Sequence, residues 1–159
     1  MARLGSTGNI RVWFVPTVAS ATLVPTAAEI TAGTDLTPYL RRDGLTTPRS
    51  GSTIDASDAA NRINKTAPGN IDLGALTLRL YWDSTPADDD AWTALPEDTA
   101  GYIVVRRFGG SGVAAAAAQI VEVYKGSVIS REMQQIGDEV QNFVVTFSIE
   151  DSNQAATLT

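Results

Sequence analysis

The sequence contains no cysteine and no histidine. The first absence excludes disulfides and thiol nucleophiles, and the second excludes Ser-His-Asp triads; together they exclude Cys/His zinc sites. Basic residues are also scarce, with 12 against 18 acidic residues and a net charge of −6. A free-standing nucleic-acid-binding protein usually has the opposite balance, so we do not expect one here. Chemistry that depends on carboxylates alone, or on a hard metal bound by oxygen atoms, remains open.

Long apolar runs are missing as well. The longest uncharged apolar stretch, residues 113–118, is far shorter than the roughly 20 residues that span a bilayer. No basic start followed by an apolar core of about 7–15 residues is visible, so we expect no signal peptide and no membrane segment. We expect a soluble protein that is made in the cytoplasm. With 159 residues, 43% of them hydrophobic, the chain is predicted to form one domain over residues 1–159.

The clearest periodic pattern lies in residues 140–150, where apolar and polar side chains alternate. One face of this segment carries Phe143, Val145, Phe147 and Ile149. Strict alternation with β-branched and aromatic residues is typical of a half-buried strand. Further strands are predicted over residues 9–15, 73–82, 102–108 and 118–131. Gly126 interrupts the last of these and indicates a bulge or bend.

Two segments carry signals for the start of a helix. Thr26 and Glu29 have the spacing of a capping box, and Gly33 follows where that short helix should end. Residues 84–95 begin with Ser-Thr-Pro and continue with three aspartates, which suit the positive end of a helix dipole. Calcium loops place their ligands at alternating positions with a glycine turn, so we interpret these aspartates as helix-start residues and predict no metal site.

The segment 43–72 is rich in Thr, Ser, Gly, Asn and Pro and has one weak strand pattern, at residues 50–55. A structureless linker of this length is unusual inside a compact domain. We therefore interpret it either as a disordered segment or as a long loop or arm that another chain holds in place. Its candidate contact residues are Leu45, Thr46, Thr47, Pro48, Arg49, Ile54 and Ile63. Residues 1–8 are interpreted as an N-terminal arm and residues 151–159 as a C-terminal tail.

No motif in the chain predicts catalysis or cofactor binding. The glycine-rich stretch 109–112 lacks the spacing of a phosphate-binding loop and is typical of a hairpin tip. Arg106 and Arg107 point to opposite faces of a strand, so they cannot form one basic patch, and one of them is expected to meet a carboxylate. We predict no catalytic residue, no cofactor and no metal ligand.

Several stretches carry a resemblance to a known family, and they read STIDAS at residues 52–57, LTLRLYWD at 76–83, GYIVVR at 101–106, VEVYKGSV at 121–128 and NFVVTFSI at 142–149. In this order, the chain resembles the major tail tube proteins of long-tailed, siphophage-like bacteriophages over roughly residues 9–150. The resemblance implies a mainly β subunit, a β-sandwich or barrel-like fold with one flanking α-helix and a long interaction loop.

The same resemblance implies a structural virion protein of the tail, made in the host cytoplasm. Six subunits would form a ring, their strands would join into one β-barrel, and stacked rings would form a tube that conducts DNA during ejection. Its partners would be further copies of itself, other tail proteins at the tube ends, and passing DNA without sequence-specific binding. The net negative charge fits such a conduit, because like charge repels phosphates from the wall.

The faces opposite the buried ones are then expected to line the lumen. The lumen-lining candidates are Glu122, Tyr124, Asn142, Thr146, Ser148 and Glu150. A different class of protein stays open at this point, namely a β-sandwich decoration or binding module of a virion or cell surface, and a carboxylate-based enzyme is a third reading. Rings or tubes of purified protein in negative-stain microscopy would separate the tail protein from the module.

Overall fold

The computed structural model describes residues 9–57, 66–82, 90–108, 114–134 and 140–159. Within these ranges the chain forms the following elements: β1 (Arg11–Val15), α1 (Ala27–Ala32), β2 (Thr34–Asp35), β3 (Leu40–Thr46), β4 (Arg49–Asp55), β5 (Thr66–Leu73), β6 (Leu76–Tyr81), α2 (Asp90–Ala94), β7 (Ala100–Arg106), β8 (Ile120–Gln134), β9 (Asn142–Phe147) and β10 (Asp151–Thr157). The pairings of these strands are antiparallel. The predicted mainly β, sandwich-like fold is confirmed.

The long strand β8 belongs to two layers. Its first half pairs with β7 and β10 in sheet A, which has the strand order β2-β1-β7-β8-β10. From Val128 onward it pairs with β9 in sheet B, which has the order β8-β9-β6-β3. Gly126 lies near this change of sheet, where a Cβ atom would overlap the carbonyl oxygen of Ser148, so the close approach needs a glycine. The register shift itself comes slightly later, between Val128 and Ser130.

The main core lies between the two sheets. Sheet B contributes alternate side chains that are fully buried: Leu76, Leu78, Leu80, Phe143, Val145 and Phe147. Sheet A contributes the other side of this core: Val12, Phe14, Ile103, Val105 and Tyr124. The alternation predicted for β6 and β9 is therefore confirmed. Burial of each large apolar side chain stabilises the fold by roughly 1.5–3 kcal/mol relative to leaving it exposed.

A second core covers the opposite face of sheet A. Trp13, Val104 and Val123 point into it from the sheet, and Leu23, Ile30 and Leu158 close it from outside. The neighbours of these residues on β1 and β7 point into the main core, so both faces of sheet A are buried. Sheet B, by contrast, buries one face.

Both helices begin or end where the sequence predicts. Thr26 and Glu29 form the predicted capping box, with Glu29 N donating to Thr26 Oγ1 at 3.1 Å and Thr26 N donating to the Glu29 carboxylate at 2.7 Å. The backbone N–H of Ala19 also donates to the Glu29 carboxylate. The bond from Thr26 N and, to a smaller extent, the bond from Ala19 N lower the pKa of Glu29. The helix α2 ends before Pro96 as predicted, while its predicted start and the aspartates Asp88 and Asp89 lie outside the described residues.

Candidate assembly surfaces

The outer face of sheet B is a polar surface that we call the polar face. Its side chains alternate with the buried ones along each strand, as the register pairs Thr77 with Thr146 and Arg79 with Val144 show. The polar face consists of Thr46, Thr77, Arg79, Tyr81, Thr146, Val144, Asn142, Ser130, Glu132 and Gln134. The formal charges among these residues are those of Arg79 and Glu132, which cancel. The irregular stretch of β3 beside them carries Arg41, Arg42 and Asp43, so the described strands bring no excess of acidic side chains to this face.

Two of the predicted lumen residues lie at or beside the polar face and remain accessible. Thr146 is half-buried on it, and Ser148 follows directly after β9. The Ser148 hydroxyl lies 3.1 Å from the Ser127 hydroxyl, which ties the end of β9 to β8. Asn142 has the right parity but is only 3% exposed, because the chain entering β9 folds against it and Val140 O accepts a bond from its amide. Asn142 therefore lies on the polar face by register but offers little surface in the single subunit.

Glu122 and Tyr124 do not lie on an open face as the sequence analysis expected, because both lie on the inner face of sheet A. Tyr124 is 3% exposed in the main core, and its hydroxyl donates to the Glu122 carboxylate at 2.9 Å. The prediction assumed that burial of Val121 and Val123 leaves the opposite face in solvent. That assumption fails here because sheet B covers the opposite face.

Glu150 lies on yet another side of the subunit. It follows β9 in the connection to β10, and its carboxylate lies 3.7 Å from Lys125 Nζ. Lys125 alternates with Tyr124, so it belongs to the face of sheet A that points away from sheet B. Glu150 therefore lies outside β9 and beside the face of sheet A that points away from sheet B, and not on the polar face with Thr146.

Sheet B ends in two strands that each have one neighbour within the described residues. The second half of β8 pairs with β9, and β3 pairs with β6. On the β8 edge, the connection before β7 already bonds the strand near Val128: Asp98 N donates to Val128 O and Val128 N donates to Thr99 O, each at 3.0 Å, and Glu97 accepts a bond from the Arg131 amide. Ile129 and Met133 on this edge are 55% and 65% exposed. An open strand edge with large apolar side chains is a template for pairing with another chain. Sequence reasoning missed this edge because a strand pattern does not reveal which strands end a sheet.

Within the segment interpreted as a long loop or arm, the described residues form a β-hairpin. The strands β4 and β5 pair with each other and belong to neither sheet. All seven residues of β4 are exposed, and so is Ile71 on β5. The strand predicted at residues 50–55 is confirmed as β4, whereas β5 was not predicted. An isolated two-stranded hairpin is at best marginally stable in water.

The predicted contact residues of this segment divide between the hairpin and the sandwich. Leu45 and Thr46 belong to β3, and Leu45 packs against the main core, so assigning them to an arm is wrong. The arm begins at Thr47 and not at residue 43. Its predicted contact residues Pro48, Arg49 and Ile54 are exposed, Thr47 is half-buried, and Ile63 lies outside the described residues.

A polar cluster, which we call the root cluster, lies where the chain leaves sheet B for the hairpin. Arg107 donates to both oxygens of Glu122, at 2.6 and 3.0 Å, and its Nη2 donates to Thr47 Oγ1 at 3.2 Å. The hydrogen bond to Glu122 raises the pKa of Arg107, and burial raises the pKa of Tyr124. The prediction that one of the two adjacent arginines meets a carboxylate is confirmed. Arg106 instead points into the other face of its strand, 5.6 Å from the Trp13 ring centroid.

Within the ranges that the structure describes, no three potential metal-ligating side chains converge on one point. In the same ranges no helix is long and apolar enough to span a membrane.

Comparison with known proteins decides the family. A family model described as phage tail tube protein matches residues 1–158. The chain belongs to the phage tail tube protein family. No curated protein matches it significantly.

A solved structure shares the fold of this tail tube protein. One chain of the cryo-EM structure titled "anti-feeding prophage (AFP) baseplate, 6-fold symmetrised" superposes with a TM-score of 0.57 at 12% identity, covering 98% of each chain. At that identity the likeness concerns the fold. The family assignment makes this chain a structural protein of the virion tail.

Proposed function

We propose that this tail tube protein assembles into six-membered rings that stack into a tube, and that DNA passes through the tube during ejection. The observation that carries the proposal is sheet B, which combines a polar outer face with two open strand edges. Family membership supports it, and so does the fold shared with a chain of a six-fold symmetrised assembly. The proposed role is structural and non-enzymatic.

Ring closure follows from the two edges of sheet B. In a ring, β3 of one subunit lies beside the second half of β8 of the next, so that six sheets join into one closed barrel. Closure gives the edge amides and carbonyls partners and covers the exposed side chains of Ile129 and Met133. The curvature places the polar face inside the barrel and sheet A outside.

The lumen wall would then consist of the polar face, with Thr146 on it and Ser148 at its rim. Neutral hydroxyl groups and one balanced pair of charges give phosphates little to bind. Arg79 is exposed on this face and Glu132 offsets its charge in each copy. DNA can slide along such a wall because no contact holds it strongly.

The hairpin would connect one ring to the next. Its exposed apolar residues Ile54 and Ile71 are 59% and 58% exposed in the single subunit, and a neighbouring ring would bury them. We propose that contact with the neighbouring ring further orders the hairpin, because a two-stranded hairpin is only marginally stable alone. Other tail proteins would bind the same surfaces at the two tube ends.

Engineered disulfides test ring closure directly, since the natural chain has no cysteine. One cysteine replaces Met133 on the β8 edge, and a second replaces Arg42 or Asp43 on β3. A disulfide needs Cα atoms within about 7 Å, so a link between subunits forms only where the edges meet. The control pair combines Met133→Cys with Thr157→Cys, which is exposed on β10.

Under mild oxidation we expect the edge pairs to give a ladder of covalently linked species that ends at six subunits. We expect the control pair to give no such ladder. Negative-stain images of the same samples should contain rings or tubes. Monomeric particles without cross-links, at concentrations where the protein is fully soluble, would instead support the decoration or binding module.

A further inference from the structure

The root cluster joins three parts of the chain that are far apart in sequence. Arg107 follows the end of β7, Glu122 and Tyr124 lie on β8, and Thr47 is the single residue between β3 and Pro48. The strand β3 belongs to sheet B, whereas β7 and this half of β8 belong to sheet A. The cluster therefore bridges the two sheets at the point where the hairpin leaves them.

The geometry of the cluster is that of a fixed scaffold. The planar guanidinium of Arg107 binds Glu122 through two parallel donors, and the Tyr124 hydroxyl gives the same carboxylate a further bond. Bidentate charge-assisted bonds of this kind are shorter and more directional than neutral ones. The side chains of Arg107 and Glu122 are 33% and 21% exposed, so solvent screens them only in part. The Arg107 guanidinium also donates a hydrogen bond to the Thr47 hydroxyl.

Among the described residues, the hydrogen bonds that tie the hairpin to the sandwich lie at its root. The Arg49 guanidinium donates to the Gln154 side chain on β10, and Gly74, which directly follows β5, lies close against Pro48. The seven residues of β4 are exposed to solvent. A rod that is held at one end takes its direction from that end. The bonds at the root thus decide the direction of β4 and β5.

We propose that the root cluster is a positioning device that fixes the direction of the hairpin in the free subunit, through the bond from Arg107 to Thr47. Thr47 and Arg107 act here as positioning residues and not as contact residues for the neighbouring ring. The benefit for assembly rests on the proposed function above. A hairpin that already points along the tube axis loses less conformational freedom when the next ring binds it.

A pair of spin labels measures this direction without relying on assembly. Cysteines that replace Thr53 on β4 and Thr157 on β10 are both at exposed positions, and there is no natural cysteine to interfere. Thr47→Val removes the hydroxyl while keeping the shape, and Thr47→Ser restores it. Thr17→Val is the matched control, because Thr17 is an exposed threonine away from the hairpin.

In the free subunit we expect a narrow distribution of label distances for the natural sequence, for Thr47→Ser and for Thr17→Val. We expect a broad distribution of label distances for Thr47→Val and for Glu122→Gln. In the second variant, Arg107 loses its charged partner. The melting temperature of Thr47→Val should stay near that of the natural protein. The concentration needed for tubes should rise about tenfold for Thr47→Val, as expected for the loss of one hydrogen bond to a charged group.

An equally narrow distribution in Thr47→Val and the natural protein would overturn the proposal, and so would a broad distribution in the natural protein itself. If the label distances behave as expected but the natural protein forms no rings or tubes, the positioning role stands and the proposed tube function fails. The two ideas therefore fail separately.

Discussion

The two halves of β8 have the same backbone structure but opposite surroundings. In the first half, strands lie on both sides and both faces are covered, so Val121, Val123 and Tyr124 are buried. In the second half, one neighbour is present and Ile129 and Met133 are exposed. The first half thus contributes to the core of the subunit, while in the proposed ring the second half would contact another chain through its exposed side chains. Under that proposal, stability and assembly depend on different halves of one strand.

Removal of a core side chain should give the largest loss of stability among the changes considered. Phe147 is fully buried on β9, opposite Val128. Phe147→Ala should lower the free energy of unfolding by about 3–5 kcal/mol, because it removes apolar contacts and leaves a cavity. Chemical denaturation measures the change. Ile129→Ala, on the exposed edge, is the control and should stay within about 0.5 kcal/mol. Similar losses for both variants would contradict the contrast.

The change of sheet near Gly126 should be the next most sensitive point. A Cβ atom at Gly126 would overlap the backbone oxygen of Ser148, whereas nothing lies within 4 Å of a Cβ atom at Gly51 in the hairpin. Gly126→Ala should therefore destabilise the subunit by about 1–3 kcal/mol through forced backbone shifts. Gly51→Ala should leave the melting temperature nearly unchanged. A neutral Gly126→Ala would mean that β8 crosses between the sheets with more room than described.

The open edge should respond in assembly and not in folding. Met133→Lys puts a charge on the β8 edge, and a charge on an edge strand opposes pairing with another chain. We expect the monomer to melt normally and ring formation to be lost, as measured by sedimentation and electron microscopy. Ile71→Lys, on the hairpin, is the comparison variant. We expect it to form single rings but to stack them more weakly.

A change of charge on the polar face should have the smallest effect on folding and assembly. We expect it to change genome ejection instead. Glu132→Lys leaves Arg79 unbalanced in each of six copies, so phosphates would be held by contacts that weaken with salt. Genome ejection should slow and recover at raised ionic strength. Glu150→Lys is the control, because Glu150 lies beside the other face of sheet A. Reversal of Glu122 is unsuitable for this purpose, since it would disrupt the root cluster. Equal ejection in both variants would place the lumen elsewhere.

Local patterns could be read from the sequence where one rule decides the structure. Alternation identified β6 and β9, and the Thr26–Glu29 spacing identified the cap of α1. A further sequence pattern indicates that sheet A is covered on both faces. The run Ile103-Val104-Val105 is apolar without alternation, which is typical of a strand covered on both faces.

The remaining features depend on which strands become neighbours. The hairpin, the open edges of sheet B and the root cluster each join residues that are distant in sequence, such as Thr47 and Arg107. Residue patterns along one strand carry no information on the strand that lies beside it. For this reason the sequence analysis expected an open face on the first half of β8, where the structure covers both faces.

A cryo-EM map of tubes grown from the purified protein tests the central claim most directly. The account predicts rings of six subunits in which β3 of one copy hydrogen-bonds to the second half of β8 of the next. In that map Thr146, Arg79 and Glu132 face the lumen, and sheet A lies outside. A map in which sheet A lines the channel, or in which the edges of sheet B remain unpaired, would contradict the account.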